Sequence, residues 1–147
     1  MLDTSILQQV TDVFRTLEAH YTLRINHSPR REESKQLIEF LNDFQGTSSH
    51  LNVEVLETDD DTFGFALLKN GEETGISFRG IPNGHEFTSL LLAILNADGK
   101  GKNLPDEGVA RRIRALKGDI HLQTFVSLTC TNCPDVVQTL NIFALLN

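Results

Sequence analysis

The stretch FVSLTCTNCPDVV, Phe125 to Val137, decides how the chain is read. It runs from an apolar, strand-like segment into a Cys-x-x-Cys turn and out into an apolar helix. Cys130 and Cys133, both cysteines of the sequence, lie in it. A strand, then C-x-x-C, then a helix points to a thiol–disulfide redox centre. The reason is local: cysteine reacts as the thiolate, and a thiol at a helix N-terminus meets the positive end of the helix dipole and unpaired N–H groups. Two intervening residues let the second sulfur attack a mixed disulfide formed on the first.

Composition narrows the alternatives. The 147 residues suffice for one ordinary domain or two small ones, and a hydrophobic content of 39% suffices for a core. With nine Phe, one Tyr and no Trp, that core is aliphatic with Phe. A net charge of −7 argues against a nucleic-acid partner. No apolar run approaches the ~20 residues of a membrane span, and MLDTSILQQVTDVF carries no basic n-region of a signal peptide. The expected compartment is the cytoplasm, where a vicinal pair is catalytic or metal-binding more often than structural. A zinc half-site lacks its second ligand pair, and no G-x-G-x-x-G dinucleotide fingerprint is present.

Outward from the cysteines, periodicity supplies the elements. An amphipathic helix is expected over 3–18, capped by Asp3 or Thr4, a strand over Tyr21–Ile25, and a helix over Glu32–Phe44. Strands follow at Leu51–Leu56, Phe63–Leu68 and Thr74–Phe78, with Asp59–Asp61 as a solvated turn and Asn70-Gly71 as a hairpin turn. A very apolar helix is expected over Glu86–Asn96, a further helix over Asp106–Leu116, a strand over Ile120–Leu128 and a last helix over Val136–Leu146. The Gly/Lys-rich stretch around 98–103 marks the expected boundary between domains 1–101 and 102–147. The order α-β-α-β-β-β-α is that of a thioredoxin-like fold, an α/β fold with helices on both faces of a mixed sheet. The remaining α-β-α repeats its opening. An offset of 103 residues lays Ile25 on Leu128, Phe40 on Phe143, His27 on Cys130 and Arg30 on Cys133. On that alignment the first copy holds His-Ser-Pro-Arg where the second holds the cysteines.

GHEFTSLLLAIL (84–95) and SLTCTNCPDVVQTLNIFALLN (127–147) resemble the N-terminal region of the flavoprotein component of bacterial alkyl hydroperoxide reductase. The resemblance covers the whole chain. It implies two tandem thioredoxin-like folds, the first without redox cysteines, followed in a longer protein by a thioredoxin-reductase-like part that binds FAD and NADH. No cofactor is expected on this chain itself. By the same resemblance Cys130 is the exposed nucleophile, Cys133 the resolving thiol, and Glu86 a carboxylate beside them that assists proton transfer. The implied partners are the peroxiredoxin component of alkyl hydroperoxide reductase and the reductase-like part of the same protein. The chain departs from the family in having Asp61-Thr62-Phe63 where a proline loop is expected, and in ending at Asn147 inside the second fold. An unfinished sheet edge invites pairing, so a homodimer is expected, by exchange of 118–147, or else docking of that segment on the first domain.

The alternative function is a docking module without redox activity; a metal-binding regulator is a third. His85 and His121 are the histidines expected nearest the cysteines, and His27 is expected to be a solvated turn residue. Arg111, Arg112, Arg114 and Lys117 suit a solvated helix end.

Overall fold

Asn70 and Gly71 adopt φ of 50° and 84° in the computed structural model, the paired positive values of the tightest hairpin turn, and they join two antiparallel strands. The structure describes residues 2–59 and 61–147; Met1 and Asp60 lie outside the described residues, and with Asp60 the middle of the expected Asp59–Asp61 turn. The chain divides into two compact units, Met1–Ile81 and Pro82–Asn147.

The first unit holds helix α1 (Thr4–Val13), strand β1 (Tyr21–His27), helix α2 (Glu32–Gln45) and strands β2 (Leu51–Glu57), β3 (Gly64–Lys69) and β4 (Glu72–Phe78). The sheet order is β2-β1-β3-β4. β1 runs parallel to β2, with Leu23 opposite Val53, and antiparallel to β3, with Leu23 opposite Leu67. The α2 crossover permits the parallel pair. Asp3 caps α1, its Oδ1 accepting from Ile6 N at 3.0 Å. Tyr21, Leu23 and Ile25 alternate inward along β1 and are fully buried. Leu37, Leu41 and Phe44 of α2 are equally buried, and the Phe44 ring meets Phe14 edge-on at 5.5 Å.

The second unit is helical. It contains a 3-10 turn at Gly84–Glu86, then α3 (Phe87–Ala97), α4 (Glu107–Arg114) and α5 (Cys133–Leu146). α5 packs on α3, on α4 and on the 3-10 turn. Asp106 caps α4 through Val109 N at 3.0 Å. α3 thus lies in the second compact unit, although its place in the element order is that of the first fold's closing helix.

One expected strand is absent among the described residues, and the helix expected over 3–18 is α-helical over Thr4–Val13 and closes in a 3-10 turn at Phe14–Thr16. Ile120–Leu128 forms no strand. A strand exists through its partner's hydrogen bonds, and among the described residues no strand pairs with this stretch. Its apolar side chains consequently stay open to solvent, Phe125 at 90% exposure. The last helix also starts earlier than its apolar period, at Cys133 rather than Val136, because Pro134 in the first turn favours initiation.

Candidate functional site

Cys130 ends a turn in which its N–H donates to the Ser127 carbonyl at 3.0 Å. Cys133 opens α5 three residues later, and the two are joined by a disulfide with Cα atoms 5.5 Å apart. Both residues are half-buried. The Cys133 N–H, one of the orphan donors of the helix start, points at Cys130 Sγ from 3.2 Å. That donor and the α5 dipole stabilise negative charge developing on Cys130 sulfur when the bond is opened. The geometry distinguishes the two sulfurs: Cys130 receives the donor, and Cys133 sits inside the helix.

A second segment is built against this turn. Gly84 lies at φ +55°, and a Cβ there would stand 2.9 Å from the Leu128 carbonyl oxygen. His85 N donates to that same oxygen at 3.1 Å. Glycine at 84 therefore lets the 3-10 turn approach the backbone two residues ahead of Cys130. Glu86, the last residue of that turn, is 3% exposed, and neither of its carboxylate oxygens has a hydrogen-bond partner among the described residues. One turn on, Ser89 is fully buried and its Oγ accepts from Gln138 Nε2 of α5 at 3.3 Å.

The other sequence candidates fall elsewhere. His85 contributes its backbone N–H while its side chain is exposed. His121 is exposed, 3.3 Å from Gln123. His27 is not merely solvated: its Nδ1 lies 2.8 Å from Ser34 Oγ, which also accepts from Ser28 N. Arg114 pairs with Glu107 at 3.0 Å, while Arg111 and Arg112 are exposed. No group of three or more His, Cys, Asp or Glu among the described residues could hold a metal ion. No helix among them is long and apolar enough to cross a membrane. Sequence reasoning passed over Gly84, Ser89 and Gln138. The available signal was the glycine directly ahead of His85-Glu86.

A mixed α/β fold with a Cys-x-x-Cys disulfide at a helix start defines a thioredoxin-like protein. No protein-family model matches the chain. It is 36% identical over 147 residues to a NADH dehydrogenase of Bacillus subtilis, and 37% identical over the same length to the alkyl hydroperoxide reductase F component of Staphylococcus epidermidis. The chain spans about 28% of the length of these curated relatives. The crystal structure of the NTD_N/C domain of the alkyl hydroperoxide reductase AhpF from Enterococcus faecalis matches with a TM-score of 0.83 and 30% identity, covering 100% of this chain and 76% of that one. A protein disulfide oxidoreductase from Aeropyrum pernix shares the fold, with a TM-score of 0.84 at 19% identity, covering 99% of this chain and 69% of that one. The chain belongs to the alkyl hydroperoxide reductase AhpF family and corresponds to its N-terminal domain.

Proposed function

We propose that this chain is the disulfide-exchange domain of an NADH-dependent peroxiredoxin reductase, and that it carries electrons from a flavoprotein core to a peroxiredoxin. The observation that carries the reading is the Cys130–Cys133 disulfide with the Cys133 N–H on Cys130 Sγ at 3.2 Å. In the reduced chain, Cys130 thiolate attacks the partner's disulfide. A bond forms between Cys130 Sγ and one partner sulfur, and the other partner sulfur leaves and takes a proton from water. The Cys133 thiol then gives its proton to the Glu86 carboxylate and attacks Cys130 Sγ. The intramolecular disulfide forms, the mixed disulfide breaks, and the departing sulfur takes the proton back from Glu86. Two electrons have passed to the partner.

Burial of Glu86 without a partner supports its role, because a dry carboxylate exchanges a proton with a neighbouring thiol without competing water. FAD and NADH belong, on this reading, to a reductase-like part of a longer protein, and no step here runs through them. The two-copy plan, with folds at 1–101 and 102–147, places His27–Arg30 as the counterpart of the redox turn. The compartment is the cytoplasm, where thiol pools keep such a pair turning over. Exposed Phe125 and the exposed apolar Ile120, Leu122, Val126 and Leu128 beside it support a homodimer; a monomer mass by light scattering removes that element.

The test is a trap. Cys133→Ser removes the resolving thiol, so a peroxiredoxin mixed with the variant is held covalently through Cys130. Conjugation that needs Cys130 and is reversed by reductant agrees with exchange. Binding that survives loss of both cysteines, with no conjugate, leaves a docking module instead.

A further inference from the structure

Two buried polar groups, Glu86 and Ser89, stand three residues apart at the start of α3. Glu86 offers two carboxylate oxygens with no donor among the described residues, at 3% exposure. Ser89 is fully buried and its Oγ accepts from Gln138 Nε2 at 3.3 Å. A hydroxyl carries one donor and two acceptor sites, so the bond from Gln138 does not use the donor. Glu86 is the N-cap of α3 and Ser89 its third residue, positions whose side chains are neighbours across the first turn of a helix, so a carboxylate at one can turn toward a hydroxyl at the other. Gln138 lies on α5, the helix that starts at Cys133, five positions beyond the cysteine.

We propose that Ser89 is a positioning residue for Glu86: held by Gln138, its hydroxyl donates to the carboxylate whenever Glu86 is ionised during thiol–disulfide exchange. This rests on the reading of Glu86 as the proton carrier and extends it to α5. The helix that begins with the resolving cysteine thereby also steadies the group that takes its proton. Charge on a buried carboxylate is stabilised by a donor brought to it. The other charged groups on the elements packed here are His85 of the 3-10 turn, Asp135 at the start of α5, and Glu107, Arg111, Arg112 and Arg114 of α4. They remain in every variant below, and the Glu86→Gln background separates any effect that reaches the profile through them.

The experiment follows reduction of dithiobis-nitrobenzoate by the reduced chain across a pH series, in variants at three positions. Hydrogen bonds to charged groups are worth on the order of tenfold in such a rate. Ser89→Ala is expected to slow the reaction on the order of tenfold at low pH and to move the rising limb of the profile about one pH unit upward. Ser89→Thr, which keeps a hydroxyl, restores the parent profile. Gln138→Leu, which leaves Ser89 in place but unclamped, moves the limb in the same direction. In a Glu86→Gln background, Ser89→Ala adds nothing further. The proposal is overturned by an unmoved profile in both Ser89→Ala and Gln138→Leu, or by a Ser89→Ala effect of equal size with Gln at 86. If Glu86→Gln alone changes nothing, the underlying reading of Glu86 fails first, and that outcome is seen separately from the Ser89 result.

Discussion

Gly84→Ala perturbs the contact on which Glu86 depends. At φ +55° an alanine pays roughly 1–2 kcal/mol for a left-handed backbone. Its Cβ meets the Leu128 carbonyl oxygen at 2.9 Å, a backbone atom that cannot rotate away as a side-chain tip would. Relief requires the 3-10 turn and the 128–130 backbone to separate. That movement stretches the His85 N–H to Leu128 hydrogen bond, now 3.1 Å, worth about 1 kcal/mol. Together these give a loss of about 2–3 kcal/mol. With a urea slope of about 1–3 kcal/mol per molar, the unfolding midpoint falls by about 1 M. Because the displaced turn carries Glu86, exchange with a small disulfide should also slow. The assay pairs urea unfolding by circular dichroism with the pH-resolved rate of disulfide reduction. A variant with parent midpoint and parent rate would refute the claim that residue 84 must lack a side chain to seat the turn on the redox segment.

Other outcomes follow from the same geometry. Glu86→Gln replaces a buried carboxyl that has no hydrogen-bond partner among the described residues by a group of the same shape, so the urea midpoint is expected to hold or rise while disulfide exchange slows; a falling midpoint contradicts the unpaired burial. Leu23→Ala, at a fully buried position in the central strand, is expected to lower stability by about 2–5 kcal/mol, read by the same unfolding curve. Phe125→Ser, at 90% exposure, is expected to change the midpoint by no more than about 0.5 kcal/mol in equivalent stability at a concentration where light scattering gives a monomer, and a larger loss there would show that the side chain is packed within the chain.

Much of the fold is legible in the sequence because its determinants are local. Asn70-Gly71 specifies its turn by backbone preference alone, and the apolar alternation of Tyr21, Leu23 and Ile25 specifies which face of β1 is inward. Asp3 and Asp106 mark their helix starts by side-chain chemistry. Ile120–Leu128 reads as a strand yet forms none, because alternation describes what a segment can bury, whereas pairing depends on a neighbour elsewhere in the chain. At the site, the cysteine pair is legible from spacing. Burial of Glu86 is not, because a carboxylate at a helix start is ordinarily a solvated dipole partner. The turn that carries it is seated by Gly84 approaching Leu128, a contact between residues 44 positions apart that no periodicity encodes. Ser89 and Gln138 are hidden for the same reason: each reads as a routine helix residue until α3 and α5 are packed.

The central claim is that Cys130 and Cys133 form one reversible two-electron couple. The direct measurement is equilibration of the chain in a graded series of oxidised and reduced glutathione, followed by quenching and thiol counting. The account predicts that both thiols of the chain, its only two, appear together in one transition within the range of thioredoxin-like couples, roughly −180 to −270 mV, and disappear again on reoxidation. A pair that remains in one state across the whole series, or that titrates as two independent thiols, contradicts it.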